Sequence, residues 1–215
     1  AKTNTLEAYS MFKYESEGLS WLSKFADQDL LTIPRPIEIN KIDSISILLM
    51  PWLNLSGSRQ ALLGQGLARL HKASAKSNKG SFGWPSNGYI GSGIQSGGWR
   101  EDWGEFFYEL RLFPQLKLAK KWGLEIISIK QIAGLIVDFL NLHEPLPCLV
   151  HGDLWSGNSF VNDDGKGVLI DPAVSWSDRE VDIAMTHLFG GFSDDFYNAY
   201  ELEWPLPKDF KLRID

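Results

Sequence analysis

The residues best suited to chemistry fall in one short stretch, His151-Gly152-Asp153-Leu154-Trp155-Ser156-Gly157-Asn158, followed by Ile170-Asp171-Pro172. Phosphoryl transfer from a nucleotide needs a carboxylate to orient the attacking hydroxyl and take its proton, and oxygen ligands for Mg²⁺ on the phosphates. Asp153 lies five residues ahead of Asn158, the spacing at which a catalytic-loop Asp faces the acceptor while the Asn turns back to metal. Asp171, at the end of the next strand, supplies a second hard oxygen, and Mg²⁺ needs few protein ligands because it keeps several waters. A lone His-Gly-Asp is a weak signal, since an Asp that caps a turn and another that ends a strand explain it as well. The ordered set of strand, His-Gly-Asp, Asn at the fifth place, hairpin, strand and Asp is much harder to reach by accident.

Such a site also needs a cation on the phosphates and a place for the base. Lys2 lies at the end of a candidate strand and Glu15 on the helix after it, the arrangement of a kinase Lys–Glu pair. The apolar run Ile45 to Leu49 leads into Met50-Pro51-Trp52-Leu53. Pro51 has a carbonyl but no N–H, and Leu53 has both. That pattern suits a linker that accepts from an adenine amino group at Pro51 and donates to the ring at Leu53, and it equally suits a proline that only stops a strand.

The elements that must position these groups follow from apolar spacing. Leu6, Tyr9, Phe12, Leu19, Leu22 and Phe25 predict an amphipathic helix over 5–25. Pro34 and Pro36 force an extended approach to two strands, Ile37-Glu38-Ile39 and Ile45 to Leu49. Ser56-Gly57-Ser58 opens a helix with Leu62, Leu63, Leu67 and Leu70 on its apolar face, ending near His71. The Gly-, Ser- and Asn-rich stretch from Ser77 to Gly98 reads as a long irregular excursion. Helices are expected again over Trp103 to Trp122 and Ser128 to Leu142. Strands are expected at Cys148-Leu149-Val150 and Val168-Leu169-Ile170, with a turn at Asp163-Asp164-Gly165. The order predicts an α+β chain of two lobes, a small N-terminal sheet lobe over 1–53 and a larger, mainly helical C-terminal lobe over 54–215.

Composition removes several other classes. With 21 Lys and Arg against 27 Asp and Glu, the net charge of −6 argues against nucleic-acid or anionic-membrane binding. The single cysteine, Cys148, has no intrachain partner, which excludes a disulfide-stapled fold and makes a cytoplasmic setting the default. No apolar run reaches the length of a membrane span. His71 reads as a helix-end residue and His151 as one that orients backbone around Asp153. Among the candidate aromatic platform residues Trp84, Trp99, Trp103 and Trp155, only Trp155 sits inside the catalytic loop and is taken as a substrate contact.

The sequence resembles the fructosamine kinase (ketosamine-3-kinase) family, relatives of the aminoglycoside and choline phosphotransferases within the protein-kinase-like fold. The likeness is carried by 151–158, by Asp171-Pro172-Ala173 and by Gly190-Gly191-Phe192-Ser193. Phe82-Gly83-Trp84, Tyr89-Ile90-Gly91, Asp102-Trp103 with Phe106, Phe107 and Arg111, and the helix around Leu63-Gly64, Leu67-Ala68 and Leu70-His71 support it. It implies ATP-dependent phosphorylation of the sugar 3-hydroxyl of a ketoamine, on a small molecule or a glycated protein, leading to deglycation. It assigns Asp153 as base, Asn158 and Asp171 as Mg²⁺ ligands, Lys2 as phosphate lysine with Glu15 its partner, and Asp182 as a brace of the catalytic loop. It also implies a glycine-containing phosphate loop ahead of Lys2 and further helices after Asp215, so that both lobes are incomplete in the 215 residues. The alternatives are an aminoglycoside- or choline-type phosphotransferase, and a non-catalytic fragment that binds a partner, with room for a homodimer.

Overall fold

The computed structural model describes residues 1–78, 80–123 and 129–214. Ser128, where the sequence reading starts a helix, and Asp215 lie outside the described residues.

Alternation in Ile45–Leu49 turns Ser46 and Leu48 inward and leaves Ile45 and Leu49 exposed, so this run forms a strand with one covered face. It is β4, the centre of a three-stranded antiparallel sheet with β1 (Lys2–Thr5) and β3 (Glu38–Ile42) at its edges. Lys2 pairs with Leu48 and Ile39 with Leu48 from the other side. Lys2 thus does not close a strand, because β1 continues beyond it to Thr5. Because Thr5 still pairs with Ile45, the following helix starts later than expected. A short 3-10 turn (Leu6–Ala8) leads into α1 (Tyr9–Phe25), which buries Phe12, Tyr14, Leu19 and Leu22.

A two-residue strand, β2 (Leu31–Thr32), leaves the sheet lobe and pairs in parallel with β11 (Gly167–Leu169), matching Leu31 with Gly167. β11 forms the expected hairpin with β10 (Ser159–Val161) across the turn at Asp163 to Gly165.

Residues 56–58 are not helical. The Gly57 N–H donates to the Val161 carbonyl at 3.0 Å, and the Ser56 hydroxyl bonds the Asp163 carboxylate. The segment is therefore docked on the β10–β11 turn, and α2 runs over Ala61–Ala75, past His71. α2 lies against α7 (Asp194–Glu203) so closely that a Cβ on Gly64 would stand 2.1 Å from the Phe196 carbonyl oxygen. Between them, α1, α2 and α7 enclose the core with Leu149, Leu154, Leu169 and Ile183.

From Phe82 to Gly98 the chain carries short strands, where an irregular excursion is expected. It forms β5 (Phe82–Trp84), the hairpin β6 (Gly88–Ile90) and β7 (Gly93–Gln95), and β8 starting at Gly98 (Gly98–Arg100). Glycines at positive φ and the Asn87 side chain, which accepts the Gly97 N–H at 2.9 Å, replace the apolar patterning that announces longer strands. β8 and β5 continue through β12 (Ser175–Ser177) to β9 (Cys148–Val150) in one antiparallel sheet. After α3 (Trp103–Phe107) the helix widens into a π-helical turn over Tyr108–Leu112 and resumes as α4 (Phe113–Lys121). α5 (Ile129–Asn141) and α6 (Glu180–Phe189) complete the set.

Candidate active site

A cleft of about 590 Å³ lies between the first sheet with α1 and the loop after β9, and Lys2, Glu15, Asp153, Asn158 and Asp171 all line it. Its floor is a tightly braced loop. The Asp182 carboxylate, at the first turn of α6 and fully buried, accepts the His151 and Gly152 N–H groups at 2.8 Å each. Its third partner is His71 Nε2 at 3.0 Å, while His71 Nδ1 meets the Tyr200 hydroxyl at 2.9 Å. Burial pushes the Asp182 carboxyl up, but the bond and charge of His71 and the bond from the Gly152 N–H hold it below the usual range. His71 therefore does not end the helix against its dipole as expected. It sits just before the last turn of α2 as a buried link between α7 and the brace.

Gly152 adopts φ +80°, and a Cβ there would stand 2.1 Å from the Ala173 carbonyl oxygen, so only glycine lets the two strand ends approach. His151 Nε2–H donates to the Ile170 carbonyl at 2.8 Å, which leaves Nδ1 to accept the Asp153 N–H at 3.3 Å. Burial lowers the His151 pKa and keeps the ring neutral in that role.

The braced loop presents Asp153 half-buried in the cleft. Burial raises its pKa, and the Asn158 amide, 2.9 Å away, partly offsets this. Asn158 spends Nδ2 on the Asp153 carboxylate and carbonyl, which leaves its Oδ1 without a donor among the described residues. Asp171 holds a left-handed φ of 55°, a conformation Asp tolerates better than most residues. A carboxamide oxygen and a carboxylate lining the same cleft are hard donors of the kind Mg²⁺ takes.

On the opposite wall Lys2 Nζ lies 2.8 Å from Glu15 Oε1 and is also paired with Asp171. Burial opposes the Lys2 charge, but the two carboxylates raise its pKa overall. Glu15 is pushed up to about 7 by burial, against the pull of Lys2.

Met50, Pro51 and Leu53 line an adjoining cavity of about 680 Å³ with Lys2, Val168 and Ile170. Neither the Pro51 carbonyl nor the Leu53 N–H is hydrogen-bonded among the described residues. Trp155 is 40% exposed at the cleft mouth, 6.1 Å from the Phe189 ring, and Gly191 packs against Ser156. The segment 190–193 thus lies beside the catalytic loop. Trp84 and Trp103 are buried in the core. The sequence reading missed Tyr14 and Tyr89 on the cleft wall; glycines at both ends of the β6–β7 hairpin were the available signal for the latter.

Comparison with known proteins shows the family of the chain. The model of the family described as fructosamine kinase matches residues 1–215. The chain belongs to the fructosamine kinase family. A probable ketoamine kinase of Synechocystis is 35% identical over 215 residues, covering 99% of this chain and 71% of its own length. A chloroplastic protein-ribulosamine 3-kinase of Arabidopsis thaliana is 36% identical over 220 residues, covering all of this chain and 66% of its own length. In three dimensions, the crystal structure of a fructosamine-3-kinase candidate from Haemophilus somnus superposes with a TM-score of 0.87 at 31% identity, over 99% of this chain and 71% of that one. The fold is the two-lobed α+β architecture expected. Among the described residues no helix is long and apolar enough to cross a membrane.

Proposed function

We propose that this chain transfers the γ-phosphoryl group of ATP to the sugar 3-hydroxyl of a ketoamine. One observation carries the assignment of roles: Asp153 stands in the same cleft as Asn158, Asp171 and Lys2, on a loop whose backbone is fixed by Asp182. The ketoamine kinases among its relatives favour this acceptor over an aminoglycoside or choline.

In this reading Asp153 accepts the proton of the attacking hydroxyl. The new bond joins the sugar oxygen to phosphorus as the bond to the β–γ bridging oxygen breaks, and ADP leaves. Half-burial raises the Asp153 pKa toward the task. Lys2, held by Glu15, contacts the phosphates, and Asn158 and Asp171 hold Mg²⁺. When bound, that ion neutralises charge on the β- and γ-phosphate oxygens. Pro51 and Leu53 offer a carbonyl and an N–H to the adenine edge, Met50 packs beside it, and Trp155 contacts the sugar. Residues 1–53 then serve the nucleotide and 54–215 the catalysis. The single buried Cys148 suits a reducing cytoplasm. The test is incubation with ATP, Mg²⁺ and a fructosamine or ribulosamine, following ADP release and a sugar 3-phosphate. Both should appear together, and no turnover on any ketoamine would sink the reading.

A further inference from the structure

Beside the catalytic loop lies a second chamber, of about 370 Å³, that the roles above leave unused. It lies next to the cleft. Gly152, Ala173 and Ile90 line it, and their chain neighbours Asp153, Pro172 and Gly91 line the cleft. The chamber walls are mainly apolar, with Trp103, Phe106, Phe107, Leu110 and Ile94 beside a few uncharged polar groups, and the one charged residue lining it is Arg111.

Arg111 comes from the π-helical turn, a distortion of a kind that recurs at functional sites. Its Nη1 is occupied by the carbonyls of Ser96 and Leu110, both at 3.0 Å, and the guanidinium lies over the Phe106 ring at 4.6 Å. Among the described residues no carboxylate pairs with it, and Nε and Nη2 have no acceptor. Burial lowers its pKa to about 10, so the group stays charged at neutral pH. A largely buried cation normally finds an anionic partner. The Nε–Nη2 edge is one of the two forks by which arginine takes a carboxylate through paired hydrogen bonds.

We propose that Arg111 reads a carboxylate on the amine half of the acceptor, so that the preferred substrate is the ketoamine of a free amino acid. This rests on the kinase reading above. The apolar walls take the amino-acid side chain, and the sugar extends back over Gly152 toward Asp153. A lysine within a glycated protein has its own carboxyl tied up in a peptide bond and gives the fork nothing to hold.

The experiment compares two probes, the 1-deoxyfructosyl adducts of valine and of isobutylamine, which differ only by the carboxylate. Calorimetric titration of the wild-type protein should show the valine adduct binding about 10- to 100-fold more tightly, the range for a charged hydrogen bond. Arg111→Met should abolish that difference by weakening the valine adduct alone. Equal binding of the two adducts to the wild type, or an equal loss on both in the variant, would overturn the proposal. The wild-type comparison needs no variant to fold. Absence of ATP turnover with the binding difference intact would count against the kinase reading and for the carboxylate site.

Discussion

The two walls of the cleft are built by opposite means. On the catalytic wall His151 and Asp182 are fully buried, and the loop is fixed by backbone N–H groups donating to one buried carboxylate. On the sheet wall β1 and β3 are mostly exposed, and Lys2 is held by ion pairs to Glu15 and Asp171. Buried hydrogen bonds to charge are costly to break, whereas partly solvated ion pairs contribute little to stability. Under the proposed function, the groups assigned to catalysis are thus preset, and the cation opposite them is free to exchange partners when phosphate binds.

Substitutions on the two walls should separate these modes. The largest effect is expected for Asp153→Asn, which should lower turnover by about 10²- to 10⁴-fold. Its thermal midpoint should hold, because the amide oxygen still accepts from Asn158. Asp182→Ala strips three buried donors of their partner and should cost about 3–5 kcal/mol in urea unfolding. A loss under 1 kcal/mol there would erase the contrast between the walls. Lys2→Met should weaken ATP binding by about 10- to 100-fold in titration, with stability changed by about 1 kcal/mol or less.

The smallest effect sharpens the comparison by pH. Glu15 is raised from 4.5 to about 7 in the folded chain, so between those values the folded state holds a proton the unfolded state has released. Stability from this group is therefore lost as pH rises through that window. Glu15→Gln lacks this loss, so its unfolding midpoint relative to wild type should climb from pH 5 to pH 8. A constant difference would show that Glu15 is already ionised at pH 5.

Legibility followed the type of signal. The helices with strong apolar spacing and the strands at Ile45–Leu49 and Cys148–Val150 could be read because burial dictates residue type there. The His-Gly-Asp to Asn spacing marks a local relation, since Asn158 donates to the carboxylate of Asp153 five residues before it. The strands between Phe82 and Arg100 could not be read, since turns at glycine and single side-chain bonds such as Asn87 to Gly97 set them. Nor could the buried role of His71, whose partners Asp182 and Tyr200 lie more than a hundred residues away. Residues 56–58 looked like a helix start because Ser and Gly favour caps, yet their partners are on the β10–β11 turn.

The short parallel pairing of Leu31 with Gly167 bears on how the chain is made. β2 emerges from the ribosome long before β11, and α1 likewise waits for Val174, whose carbonyl takes the Tyr14 hydroxyl at 2.7 Å. Such distant contacts slow folding, because the intervening chain must be closed before they form. α1 and β2 therefore complete their packing only after the hairpin that receives them has been translated, and until then their apolar stripe needs shelter.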